Sequence, residues 1–139
     1  MSSVFKISEA ASLALHSMVI LARNQDRLVT TEEMAETLQA SQAHLNKVFQ
    51  LLARAALVKS TRGRKGGHAL AGDAQGISLL EVYEAVEGRL VPPRCLLAKP
   101  ICDGHCIFGG MLQDVNSRVR DHLAKTLLSE FAQVGMDDG

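Results

Sequence analysis

No apolar run in this chain is long enough to cross a bilayer: the longest, ASLALHSMVILA from Ala11 to Ala22, covers twelve residues and is broken by His16. The flanks and cleavage site of a secretory signal are missing too, so the run reads as a buried helix of a cytoplasmic protein. Cysteine is scarce. Three residues in 139, an odd number without an export signal, speak against a disulfide framework and for thiols held in a reducing compartment. There is no P-loop, no G-x-G-x-x-G opening a helix, and no nucleophile with a companion base, which leaves enzyme readings without support. Internal repeats and low-complexity tracts are absent. So is net charge, and a formal value of zero at pH 7 taken alone argues against a nucleic-acid partner.

That zero hides an asymmetry. Between Glu36 and Asp73 no acidic residue occurs, while Lys47, Arg54, Lys59, Arg62, Arg64 and Lys65 all fall inside the window. A solvated basic face is the plain reading of such a run, so its place within a structural motif has to decide. With 47% apolar and 22% charged residues, the chain fits one globular domain with a core of its own and an appended element.

Apolar residues in KISEAASLALHSMVILAR recur at helical intervals behind Ser8, a candidate cap, and predict a first helix ending near Asn24. In VTTEEMAETLQ, Thr30 and Glu33 have capping-box spacing and Val29 with Met34 can form a hydrophobic staple, which predicts a short second helix to about Leu38. Ser41 then caps a third, SQAHLNKVFQLLARA, with Leu45, Val48, Phe49 and Leu52 inward and Gln42, His44, Asn46 and Lys47 outward. LVKSTR and HALAG read as two strands around the turn GRKGG, a small hairpin or wing. ISLLEVYEAVEG opens with a second capping box, Ser78 to Glu81, and closes at Gly88 as a fourth helix. Beyond a loop rich in proline and glycine, Met111, Val115, Val119, Leu123, Leu127 and Phe131 recur every fourth residue, widened by Leu112, Leu128 and Val134. That stripe predicts a long last helix whose apolar face is core or a dimer seam. The fold class is therefore mainly α: a winged helix-turn-helix DNA-binding domain over 1–90, a cysteine-bearing loop over 91–110, and a dimerisation helix over 106–134.

A helix-turn-helix lays its second helix in the major groove, which requires polar or basic residues at that helix's exposed start and an apolar underside. Ser41, Gln42, His44, Asn46 and Lys47 supply the first. Ala35 at the small packing position, with Met34, Leu38, Ala40, Leu45 and Val48, supplies the second. Gln39 stands where glycine is usual in the turn, a left-handed position that other residues adopt at modest cost. Arg62, Arg64 and Lys65 at the wing tip can reach phosphates or a narrow minor groove, so the acid-free window gains a purpose as a double-stranded DNA interface.

Cys95, Cys102 and Cys106, in the stretch PRCLLAKPICDGHCIFGG, cluster within twelve residues. Thiolates suit iron-sulfur clusters and zinc alike, glycine lets backbone amides approach bound sulfur, and a helix starting near Cys106 would favour its thiolate. The spacing C-x6-C-x3-C matches neither ferredoxins nor zinc fingers, so the metal stays open between a 2Fe-2S or 4Fe-4S cluster and zinc. A metal-free thiol switch and a small iron-sulfur electron carrier or assembly accessory are the alternatives.

LALHSM, the helix order, STRGRKGGHALAG, ISLLEVYEAVEG and three cysteines ahead of a long helix together resemble the IscR and NsrR type of bacterial winged-helix regulators, over nearly the whole chain. The R-G-x-x-G-G-x-x-L pattern of that family's wing matches Arg62 to Leu70. The resemblance implies a repressor that forms a homodimer through the last helix, binds a palindromic operator, needs no membrane, and carries an iron-sulfur cluster that senses redox, nitric oxide or iron-sulfur status. It further implies ligation by the three cysteines with a fourth ligand from the partner's first helix. His16 is the first candidate, Glu9 and His105 are weaker ones, and Ser12 stands where some relatives carry an acid. The alternative for His16 is a core histidine satisfied by hydrogen bonds. For His44, His68 and His122 a solvated or DNA-facing side chain is expected.

Overall fold

The computed structural model describes residues 3–91, 93 and 95–132. The chain runs α1 (Glu9–Arg23), α2 (Thr31–Leu38), α3 (Gln42–Arg54), β1 (Val58–Thr61), β2 (Gly67–Leu70), α4 (Leu79–Glu87) and α5 (Met111–Lys125), with 3-10 turns at Ala74–Gly76 and Leu128–Phe131. Each cap foreseen for the first four helices is in place. Ser8 Oγ accepts from Ala11 N–H at 3.0 Å, Thr30 from Glu33 at 3.0 Å, Ser41 from His44 at 3.1 Å and Ser78 from Glu81 at 3.2 Å. Such a bond satisfies a donor that the helix start otherwise leaves orphaned, and is worth about 1 kcal/mol.

The first capping box is only half closed. Glu33 turns away from the backbone and takes a bidentate pair with Arg27 at 2.6 and 2.9 Å, which holds its carboxyl below the ordinary carboxylate range. Gln39 ends α2 in the left-handed region, with φ 52° and ψ 49°, and donates its N–H to Glu36 O, so a non-glycine turn serves here.

One core joins these elements. Met18 and Leu21 of α1, Met34 of α2, Leu45, Val48, Phe49 and Leu52 of α3 and Val82 of α4 are buried together with Leu128 from the end of the chain. At roughly 1.5–3 kcal/mol for each large side chain removed from water, this cluster is what holds α2 and α3 at a fixed angle on α1.

The last helix differs from its predicted extent. The apolar repeat predicts one helix over 106–134, but α5 starts at Met111 and stops at Lys125. Thr126 then turns extended and its hydroxyl donates to His122 O. Leu127 bridges to Ser78, through Leu79 N–H to Thr126 O at 2.9 Å and Leu128 N–H to Ile77 O at 3.0 Å. Burying Leu128 completely in the core outweighs continuing a helix whose next turn would have left it outside. Leu127 and Phe131 therefore belong to a return segment, tied to α1 by Arg23 Nε donating to Phe131 O at 2.9 Å. Val134 and the rest of 133–139 lie outside the described residues. No residue of α5 is buried, although Leu112, Val119 and Leu123 are partly covered.

Candidate nucleic-acid interface

The short α2, the tight turn at Gln39 and the start of α3 present Ser41, Gln42, Asn46 and Lys47 to solvent on one side. Leu45, Val48, Phe49 and Leu52 anchor the other side. Ser41 Oγ is spent on its cap. The helix start that it caps is of the kind whose N–H groups favour phosphate. His44 is half-buried, with Nδ1 3.7 Å from Glu9 Oε1 at the start of α1. Of the five residues singled out on this helix, Gln42, Asn46 and Lys47 present exposed side chains, Ser41 is engaged as the cap, and His44 already has a neighbour.

Beside α3 stands the hairpin, β1 and β2 antiparallel in the register Val58↔Leu70, Lys59↔Ala69, Ser60↔His68 and Thr61↔Gly67. Its turn is built by glycine for steric reasons. A Cβ on Gly66 would lie 2.1 Å from Thr61 O, and Gly63 has φ 107°. Arg62, Arg64 and Lys65 are exposed at the tip, and none of them makes an ion pair among the described residues.

Between α3 and the wing lies a cleft of about 510 Å³, lined by Thr31, Asn46, Gln50, Ser60, Arg62 and His68 among others. Asn46 and Arg62, read from sequence, thus meet in one place. Thr31, Gln50 and Ser60 join them there without having been singled out from the sequence. Gln50 could have been found, since it lies one helical turn after Asn46.

His68 lines this cleft but is not the freely solvated side chain expected of it. It is half-buried and stacked on Phe49, with ring centroids 3.9 Å apart and planes 4° from parallel. Its Nε2 shares a hydrogen bond with Thr31 Oγ1 and its Nδ1 one with Ser60 Oγ, both 2.7 Å. Burial pushes its pKa down, favouring the neutral ring. His44 is half-buried and His122 exposed on α5.

Cys95, Cys102 and Cys106 are free thiols, each partly exposed, on the loop joining α4 to α5. Glu84 Oε2 fixes the exit of α4 by accepting Leu90 N–H at 2.7 Å. Leu97 N–H points at Cys95 Sγ at 3.3 Å and Phe108 N–H at Cys106 Sγ at 3.4 Å. Cys106 precedes the α5 cap at Gly110, so the helix dipole invoked for it does not extend that far. Among the described residues no three of His, Cys, Asp and Glu come together closely enough to hold a metal ion.

His16 is exposed, which excludes the core-histidine alternative. Its Nδ1 lies 2.6 Å from Ser12 O. A carbonyl can only accept, so Nδ1 is the donor, and in the neutral ring this leaves the lone pair on Nε2. Glu9 and His105 are exposed as well.

A core shared by four helices, one of them with a polar outer face, and a basic hairpin at its side define a winged helix-turn-helix regulator of transcription. The chain belongs to the Rrf2 family, described as "Iron-dependent Transcriptional regulator", which it matches over residues 7–133. It is 30% identical over 129 residues to the HTH-type transcriptional regulator IscR of Vibrio campbellii, covering 91% of this chain and 72% of that one. Its fold superposes on CymR (YrzC), the global cysteine regulator of B. subtilis, with TM-score 0.74 and 25% identity over 93% of this chain and 97% of that one. T. potens IscR shares the fold at TM-score 0.72 and 21% identity, with 95% and 93% covered. These relatives are regulators and not enzymes, and among the described residues no helix is long and apolar enough to cross a membrane.

Proposed function

We propose that this chain is a cytoplasmic repressor that binds a palindromic operator as a homodimer, and that an iron-sulfur cluster held by Cys95, Cys102, Cys106 and a partner's His16 sets its DNA affinity. The single observation that carries the sensing part is the placement of all three thiols on the one loop that links the DNA-binding domain to α5. The donor chemistry fits: soft sulfur ligands, two of them already met by backbone N–H groups of the kind that stabilise thiolate charge. The ring of His16 supports its role, since a histidine ligand is normally oriented by a bond from its other nitrogen. The description of the family as iron-dependent points the same way. When bound, the cluster would supply a redox-responsive tie between sulfur atoms.

Protein residues would carry the response. A closed loop shortens the path from Glu84 to α5 and so alters how α5 presents its apolar stripe. That stripe supports the homodimer: Met111 is 51% exposed and Val115 48%, and Val115, with Phe5, Ile7, Leu15, Tyr83, Val119 and Leu123, lines a largely apolar groove of about 520 Å³ that stays open in the single chain. In a dimer, each protomer's Ser41, Gln42, His44, Asn46 and Lys47, with Arg62, Arg64 and Lys65, would face one half-site.

A second reading keeps the dimer and replaces the cluster by zinc or by the thiols themselves. The partial exposure of three free thiols favours it. Anaerobic purification with iron, sulfide and zinc analysis separates the two. The proposal expects a coloured protein with matching iron and sulfide that Cys102→Ala abolishes; a colourless, zinc-loaded protein supports the second reading.

A further inference from the structure

We infer that His68 is the positioning residue that locks the wing against the recognition helix α3, so that the tip cations meet the phosphate backbone at a fixed angle. The inference rests on the DNA-binding reading and concerns how that site is held rather than which residues touch DNA. Two strands of four residues have little stability alone, and β1 buries only Val58. Something beyond the ladder must therefore orient the tip.

Every tie needed converges on one residue. The backbone of His68 exchanges both hydrogen bonds with Val29, at 3.0 and 2.8 Å, which fastens β2 to the segment leading into α2. Its ring lies flat on Phe49 of α3. Its two nitrogens reach Thr31 in the first turn of α2 and Ser60, its cross-strand partner on β1. One side chain thus touches both helices of the helix-turn-helix and both strands of the wing. Gly67 lets it approach: a Cβ there would lie 2.9 Å from both Leu28 Cβ and Val29 O. Ser60 stands two residues before Arg62, so the lever from the locked pair to the tip is short.

The neutral ring suits this task. It offers one donor and one acceptor, and a hydroxyl at either end can take the complementary role. No other side-chain type brings a flat face for Phe49 and two opposed hydrogen-bonding atoms on so short a stem.

A double-mutant cycle tests the inference, with a duplex that the wild-type protein selects from a randomised pool as the probe. Arg64→Ala in the wild-type background should weaken binding and lower the salt slope by about 0.9 for each engaged wing. In the His68→Phe background, which keeps the ring on Phe49 and removes both hydrogen bonds, the same Arg64→Ala change should cost little further affinity and leave the slope unaltered. His68→Ala should behave alike, and its thermal melt checks that it folds. Full additivity of the His68→Phe and Arg64→Ala losses overturns the inference, because independent sites add. Absence of any Arg64→Ala effect in the wild-type background instead overturns the wing as a DNA contact, which is a different failure.

Discussion

The salt dependence of DNA binding reports how many wings engage, and Arg64→Ala is the perturbation that reads it. Arg62, Arg64 and Lys65 are exposed and free of ion pairs among the described residues, so each is available to displace condensed counterions. Loss of one phosphate contact lowers the slope of log affinity against log salt by about 0.9. If two wings of a homodimer bind, Arg64→Ala removes two contacts and the slope falls by about 1.8. Between about 50 and about 200 mM salt, the advantage of wild type over variant then shrinks roughly twelvefold; a single engaged wing gives only about 3.5-fold. Fluorescence anisotropy on a labelled duplex, repeated across the salt series, measures this directly. An unchanged slope would mean that the wing tip does not meet phosphate.

Three further outcomes follow from the packing. Because burial lowers the His68 pKa, stability from its neutral ring is fully present above pH about 6.5, the unfolded value, and is lost as pH falls through the lower folded value. Denaturant titrations should show this loss, and His68→Phe should flatten it; Glu33, held low by Arg27, contributes only in a separate and more acidic window. Gly66→Ala should disrupt the wing and weaken DNA binding while leaving sedimentation of the protein unchanged, since its Cβ would collide with Thr61 O in the backbone of β1. Leu123→Glu on α5 should shift the protein to monomer in sedimentation experiments, whereas the half-exposed Leu123 of a purely intrachain helix would tolerate the change.

Much of the architecture was legible because local signals and tertiary packing agree. Ser8, Thr30, Ser41 and Ser78 cap the helices that their spacing announces, and the staple residues Val29 and Met34 are buried as expected. What escaped the sequence reading was decided by distant partners. Glu33 abandons its box for Arg27, a competing bond that periodicity cannot rank. The repeat through Leu127 and Phe131 continues past Lys125, yet the helix does not, because Ile77 and Ser78 offer backbone partners and the core takes Leu128. His68 looked like a surface residue of a short strand; only the approach of Phe49 and Thr31, 19 and 37 residues away in sequence, reveals its seat. The thiol loop was visible as a cluster of residue types, while its turns, with Asp103 at φ 48° and Gly104 at φ 83°, belong to chain geometry that composition does not encode.

In the proposed regulator, sulfur ligation in the Cys95 to Cys106 loop governs how two DNA-binding heads engage a duplex. The direct measurement is the affinity of oxygen-free protein for one selected duplex before and after chelation and removal of its bound iron, with Cys102→Ala in parallel. The two wild-type forms should differ clearly, and the Cys102→Ala protein should behave like the iron-depleted one. Equal affinity in all three would contradict that control by sulfur ligation.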